Sequence, residues 1–514
     1  MVNAAVTRRR LLALAFAGAA ANVLAACGGS ATAPTNTPAP AAAPAATKPA
    51  APAAAPTTAP AGAAPAATTA PASGAAPATT TAPGASAAAT SAPSAAKPAA
   101  AAKTGVTLRY HARTGSEADT LNARLPDFTN RTGVEVKSET FPGGEYYAKM
   151  QALIAGGQLG DVFWGSLGIG WPIWGASGVM KPLDEFIQAE KFDPSQYYKA
   201  AWDQLGYQGK QYGLPFKLQP GTMGIYYNAD QFKEAGVKEP NLDMSYDDLV
   251  KTAKALTKSS GSRTERWGFL PYWTSSSDVQ GGWYVVTTYV RAWGGELMNE
   301  EGTKSTINSD PKTKEAITFM ADLVFKQKVA PTYKDIPNSD QDAFFVAGSA
   351  AMFQSGSWTK SVPTRIKDKF VVKDTLMPKG PSGKRGGMNI SDLIGINAKT
   401  QYARESWELT KHLTDKETGI RLGEGTGGAS GTCGARPDAF HDDRLMKNPL
   451  HPVWIEAVES SPGPRYAANF RTAEYNTALW QKMIGMLVGD VPLNDKFFAD
   501  LDSAVQQVLD MPKP

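Results

Sequence analysis

The feature that most constrains this chain is an abrupt break in composition near residue 103. Of the 76 residues in 28–103, all but Asn36, Lys48, Lys97 and Lys103 are Ala, Pro, Thr, Ser or Gly, and 14 are proline. Such a segment has too little apolar surface to offset the entropy of ordering itself. Its prolines interrupt the helix that alanine alone would favour. It reads as a disordered, partly polyproline-II tether, and its Thr/Ser/Pro density suits O-glycosylation.

The break also redistributes charge. Residues 1–103 hold six of the 52 basic residues and none of the 48 acidic ones, so 104–514 carries 46 against 48, a net of −2. The basic character belongs to the tail, and the body has no excess of positive charge for nucleic acid. All twelve tryptophans lie in the body, which is long enough for two cored lobes. Two cysteines, Cys27 and Cys433, exclude a disulfide framework and a cysteine-based zinc site. The four histidines show no ligand-like spacing, so neither metal nor cofactor is expected.

Ahead of the tether, Thr7-Arg8-Arg9-Arg10-Leu11-Leu12 opens an apolar run ending Leu24-Ala25-Ala26-Cys27. A charged start, a short apolar core and small residues before a cut mark a secretory signal over 1–26. Leu-Ala-Ala-Cys resembles the bacterial lipobox, which implies acylation of Cys27 and a lipid anchor on the extracytoplasmic face of the membrane. The arginines also resemble a twin-arginine signal, so both the Sec and twin-arginine routes stay open.

In the body, strand-like Val106-Thr-Leu-Arg-Tyr110, a helix over 118–132 broken at Pro126, a strand over 134–137, a helix over 146–155 and a strand over 161–164 follow in order. This β-α-β-α-β alternation predicts an α/β fold with a mainly parallel sheet, and ligands beyond the carboxyl ends of the strands. Further helices are expected over 229–235, 246–258, 311–327, 344–353, 404–413 and 495–509, and a strand over 224–228. Enzyme motifs are nearly absent. Gly423-Glu-Gly-Thr-Gly-Gly428 matches a dinucleotide pattern, but in reversed context, and reads as a helix stop and loop.

Five ordered landmarks then carry a resemblance. They are Leu125-Pro-Asp-Phe128 to Thr132-Gly-Val-Glu-Val136; Tyr147-Ala-Lys-Met150 through Gly156-Gly to Asp161-Val-Phe-Trp164; and Gly209-Lys-Gln-Tyr-Gly-Leu-Pro215 with Ile225-Tyr-Tyr-Asn228. Ala343-Phe-Phe-Val-Ala-Gly348 to Gly356-Ser-Trp358 and Leu376-Met-Pro-Lys-Gly380 with Gly395-Ile-Asn-Ala398 complete them. Together they resemble the solute-binding proteins of bacterial ABC importers, in the group that includes maltose- and oligosaccharide-binding proteins.

The resemblance implies a two-lobe periplasmic-binding-protein-like α/β fold with hinge-connecting strands near 215–224, 386–395 and 434–437. The first lobe would take 104–216 plus 392–434, and the second 217–391 plus 435–514. It also implies a non-enzymatic, monomeric receptor that passes a carbohydrate to an ABC permease. A phosphate ester or polyamine is the alternative ligand, and a surface glycoside hydrolase or adhesin the alternative class.

An aromatic face stacks on the C–H face of a pyranose, and planar polar groups bond its hydroxyls. Trp164, Tyr272, Trp273 and Trp358 match the family's aromatic positions, with core packing as the competing reading for each. His111, Arg113, Asp392, Arg465 and Tyr475 are the polar and late candidates, with Tyr466 and Asn469 beside them. Trp202, Trp407 and Trp480 sit in helical stretches and are expected in the core.

Overall fold

The computed structural model describes residues 104–142, 145–166, 170–273, 278–337, 340–425 and 434–513. The signal segment, Cys27, the tether, Cys433 and residues 426–428 of the glycine run lie outside the described residues.

The opening alternation forms β1 (Thr107–Arg113), β2 (Glu135–Phe141) and β3 (Val162–Ser166), with helices between them. The expected helix over 118–132 is two helices, Ser116–Asn122 and Leu125–Thr132; Pro126 sits in the first turn of the second, where its missing N–H costs nothing. Gly133, at φ 73°, ends that helix in the left-handed conformation glycine tolerates best. β1 pairs in parallel with both β2 and β3. β3 is buried along its whole length, as a central strand covered on both faces must be.

A small hairpin, β4 (Gly206–Tyr207) and β5 (Lys210–Gln211), leads into β6 (Gly213–Gln219). The chain then passes through 220–223 into β7 (Gly224–Asn228) and a second sheet. That sheet also contains β8 (Lys258–Ser260), β9 (Arg263–Leu270), β10 (Ala350–Ser355) and β11 (Val372–Leu376). The chain returns through 377–389 to β12 (Ile390–Ile396). The first sheet has the order β2-β1-β3-β12-β6 and the second β11-β7-β10-β9-β8. β12 runs antiparallel to both β3 and β6, and β7 runs antiparallel to both its neighbours. The sheets are therefore mixed: β7, on which the chain enters the second lobe, and β12, on which it returns to the first, each run against both neighbours.

The third passage between lobes lies later than 434–437. Helix Asp443–Met446 still packs on the first lobe, through Arg444 to Glu417 at 2.6 Å and Leu445 beside Gly423. Helix Pro452–Ser460 belongs to the second lobe: Trp454 stacks on Tyr226, and its ring lies so close to Gly224 that a Cβ there would sit 2.6 Å away.

The segment 344–353 is not one helix. Gln341–Val346 is helical, and Ala350–Ser355 is the buried strand β10. A short apolar run does not distinguish a buried strand from a helix by periodicity. Helix Val279–Trp293, unforeseen from the sequence, is buried on nearly all sides between helices Pro311–Phe325 and Thr472–Leu487. Trp407 and Trp480 are fully buried, as expected, and Trp202 is half-buried against a core cluster.

Candidate functional site

Four first-lobe elements end at one edge and bring a charged group together there. Arg113 closes β1, and Glu117 follows in the first turn of the next helix, so the two lie four residues apart. Arg113 Nη2 donates to Glu117 Oε2 at 2.7 Å. Lys217 on β6 stands in register with Asp392 on β12, which in turn faces Ser166 on β3. The Lys217 ammonium lies 2.7 and 2.8 Å from the two oxygens of Glu117 and 2.9 Å from Asp392 Oδ2.

Trp164 closes the group from β3. Its indole N–H donates to Asp392 Oδ2 at 3.1 Å, and the Arg113 guanidinium lies 4.7 Å over its ring. Tyr146 holds that ring from behind, edge-on at 4.9 Å, and donates to the Trp164 carbonyl at 2.7 Å.

Lys217 and Asp392 are almost fully buried. Buried charges persist only when paired, and here each one is. Burial pushes the Glu117 carboxyl up, but Lys217 and Arg113 outweigh it and hold it well below the carboxylate range.

Across the cavity the second lobe supplies aromatic surface. Tyr272 follows β9, Trp358 follows β10, and Tyr284 lies in the second turn of helix Val279–Trp293. Trp358 meets Tyr272 edge-on at 5.6 Å and Tyr284 at 6.3 Å. Gly356 makes room for this: a Cβ there would run into the Trp358 ring. Asp278 caps the helix by accepting the Gly281 N–H at 3.0 Å, and burial pushes its carboxyl up. The cavity between these walls has a volume of about 180 Å³. Arg113 and Lys217 offer donors, Glu117, Asp278 and Asp392 offer acceptors, and the rings offer flat apolar faces.

Of the residues singled out from the sequence, Arg113, Tyr272, Trp358 and Asp392 line this cavity, and Trp164 supports it from beneath. Four others lie elsewhere. His111 is buried two residues back along β1, where its Nε2 accepts the Gly160 N–H at 2.8 Å. Trp273 turns into the core, and its carbonyl accepts from Gln341. Tyr475 is a core residue of helix Thr472–Leu487, bonded to the Leu297 carbonyl at 3.2 Å. Arg465 reaches the Met298 carbonyl at 2.8 Å and lines a different cavity. Of their neighbours, Asn469 ties down the chain end by donating to the Val508 carbonyl at 2.7 Å, and Tyr466 is half-buried against the core.

Sequence reasoning missed Glu117, Lys217, Asp278 and Tyr284. Lys217 left a readable trace, a lone cation inside the apolar strand Gly-Leu-Pro-Phe-Lys-Leu. Among the described residues, no cluster of His, Cys, Asp or Glu is placed to hold a metal ion, and no helix is long and apolar enough to cross a membrane.

Comparison with known proteins agrees with the two-lobe fold. The chain is 25% identical over 304 residues to a multiple sugar-binding protein of Streptococcus mutans, covering 57% of this chain and 68% of that one. It is 25% identical over 382 residues to an sn-glycerol-3-phosphate-binding periplasmic protein of Brucella melitensis, covering 69% and 83%. Its fold matches an ABC substrate-binding protein of Listeria monocytogenes solved in complex with cycloalternan. That match has a TM-score of 0.66 at 20% identity and covers 79% of this chain and 99% of that one. Residues 114–420 match the model of the bacterial extracellular solute-binding proteins, whose members bind solutes outside the cytoplasm and do not transform them, and to that family this chain belongs.

Proposed function

We propose that this protein is a carbohydrate receptor that hands a neutral sugar to an ABC permease. One observation carries the reading: three aromatic rings, Tyr272, Tyr284 and Trp358, face a polar floor whose charges are already paired with one another. Rings that stack on a sugar face and fixed donors and acceptors at its hydroxyls are the chemistry a pyranose needs. A ligand that touches both walls favours the closed arrangement of the lobes, and the permease reads that arrangement. The sugar-binding relative supports the same reading.

The glycerol-phosphate-binding relative raises a phosphate ester as the second candidate. A phosphate needs a cation to spare. The cavity has two, Arg113 and Lys217, and three carboxylates, Glu117, Asp278 and Asp392. Both cations are committed at 2.7–2.9 Å, so an incoming phosphate meets excess negative charge. A polyamine meets the converse obstacle, since Lys217 already occupies Glu117 and Asp392. Thermal melts with neutral oligosaccharides, sn-glycerol 3-phosphate and spermidine test the choice. Stabilisation by a neutral sugar alone is expected; stabilisation by the phosphate ester or the polyamine alone rejects it.

The remaining part of the proposal concerns attachment. Acylated Cys27 anchors the receptor, and 28–103 spaces the body from the membrane. One or two acyl chains hold it by burying CH₂ groups, about 0.8 kcal/mol each. Cys27→Ala is expected to move the protein from the membrane fraction to the soluble one or to retain its signal segment. Unchanged membrane partition with the signal removed overturns the anchor.

A further inference from the structure

A second cavity, larger than the first, opens in the second lobe at about 680 Å³. It lies at the far end of helix Val279–Trp293. Asp278 caps that helix in the cleft, and Arg291 lines the second cavity thirteen residues on, about 20 Å away along the helix. Six cations line it: Arg291, Lys312, Lys379, Lys384, Arg385 and Arg465. Only two carboxylates answer them, Glu296 and Glu456, which leaves an excess of four positive charges. This stands out in a body whose net charge is −2.

Arg465 is half-buried and shares Glu296 at 3.8 Å; the other five cations are of two kinds. Arg291 and Arg385 are buried and fixed, each only 6% exposed. Arg291 pairs with Glu296 at 3.1 Å and Arg385 with Glu456 at 3.0 Å. The Arg385 guanidinium also donates to the carbonyls of Met377 at 2.9 Å and Leu242 at 2.7 Å. They use up the two carboxylates. Lys312, Lys379 and Lys384 are exposed at the rim, and none has a carboxylate within ion-pair distance among the described residues. The carbonyl end of helix Val279–Trp293, which would repel an anion, is covered. Ser382 Oγ donates to the Ala292 carbonyl at 2.7 Å, and the Ser382 N–H donates to it at 3.2 Å.

The geometry points to a second ligand site here, for a compact polyanion carrying two or more phosphate- or carboxylate-type groups. Fixed guanidinium groups at the base and mobile ammonium groups at the rim match such a ligand, and the volume lies in the range of small-molecule sites. The site is separate from the sugar cleft and does not depend on the reading of that cleft.

Titration calorimetry on the full-length, detergent-solubilised protein tests it with pyrophosphate and citrate as probes. The two arms distinguish a phosphate from a carboxylate ligand. At least one probe is expected to bind at 1:1, weakening as salt is raised. The triple variant Lys312→Gln, Lys379→Gln and Lys384→Gln is expected to bind it about tenfold or more weakly, with an unchanged melting temperature because all three side chains are exposed. Trp358→Ala is expected to bind the anion as the wild type does. No saturable binding of either probe, or equal affinity in the triple variant, overturns the site.

Discussion

The cleft at the strand ends and the cavity at the far end of helix Val279–Trp293 are both lined by charge, but they dispose of it differently. In the cleft, Arg113, Lys217, Glu117 and Asp392 form a closed set of pairs under an aromatic wall. In the other cavity the carboxylates are outnumbered, and three lysines have no carboxylate partner among the described residues. A site whose cations are all paired offers direction without a cation to spare, which suits a ligand made of hydroxyls. An unbalanced site offers attraction, which suits a ligand that brings the missing charge.

Breaking the pairing in the cleft gives the largest expected effect. Lys217→Met leaves Glu117 and Asp392 without their shared partner in a buried setting. The cost is expected at about 3–5 kcal/mol in a chemical denaturation curve. A loss under about 1 kcal/mol would mean that solvent, not Lys217, balances these carboxylates.

A pH titration of stability follows in size. Burial pulls His111 down to about 4, against the nearby Glu139 carboxylate, which acts to raise it, as Asp161 also does, while Arg109 lowers it further. Its Nε2 accepts a hydrogen bond, so the neutral ring carries its proton on Nδ1, 3.4 Å from Glu139 Oε2. The unfolded chain therefore binds a proton here more readily than the folded one. The stability owed to His111 is complete above the ordinary histidine value near 6.5 and is lost as pH falls from there through about 4. The full loss is about 3 kcal/mol. His111→Gln keeps an acceptor for Gly160 and should flatten the melting-temperature profile over that window; an unchanged slope would place the titrating group elsewhere. Glu117 acts lower: held below its unfolded value by Lys217 and Arg113 against burial, it yields its contribution only as pH falls further.

Trp358→Ala sharpens the contrast between the two cavities. It is expected to cost about 2 kcal/mol of sugar affinity, roughly 30-fold, with a smaller loss of stability than Lys217→Met. Lost stability at unaltered affinity would return Trp358 to the core. The triple lysine variant should change sugar affinity least, within about 0.5 kcal/mol. A larger change would mean that the cavities are coupled.

The sequence was most legible where one chemical constraint acts alone. The composition break at residue 103 needs only entropy to interpret, and Pro126 and Gly133 mark helix ends by backbone geometry. It was least legible where burial removes the pattern. Helix Val279–Trp293 and strand β10 are buried on nearly every side, polar residues such as Arg291 and Gln354 included, so no exposed polar face marks them. The site follows the same division. Arg113, Tyr272, Trp358 and Asp392 reach the cavity from element ends, positions that local patterning locates. Lys217 and Glu117, 100 residues apart, meet only because β6 joins the first sheet through β12, the strand on which the chain returns from the second lobe. Their pairing is a property of topology, which no local window contains. Tyr475 and Trp273 failed for the opposite reason: an aromatic at the right place in the order of segments still turns inward when the core beside it has room.

The proposed sugar site lies between an aromatic wall and a polar floor whose cations are paired. Titration calorimetry of the purified protein with maltotriose, mannobiose and cycloalternan, beside sn-glycerol 3-phosphate, tests it most directly. Saturable 1:1 binding of a neutral oligosaccharide, abolished or strongly weakened by Trp358→Ala, is expected, with no binding of the phosphate ester in the cleft. Tight binding of sn-glycerol 3-phosphate that Trp358→Ala impairs, with no heat from any neutral sugar, would contradict it.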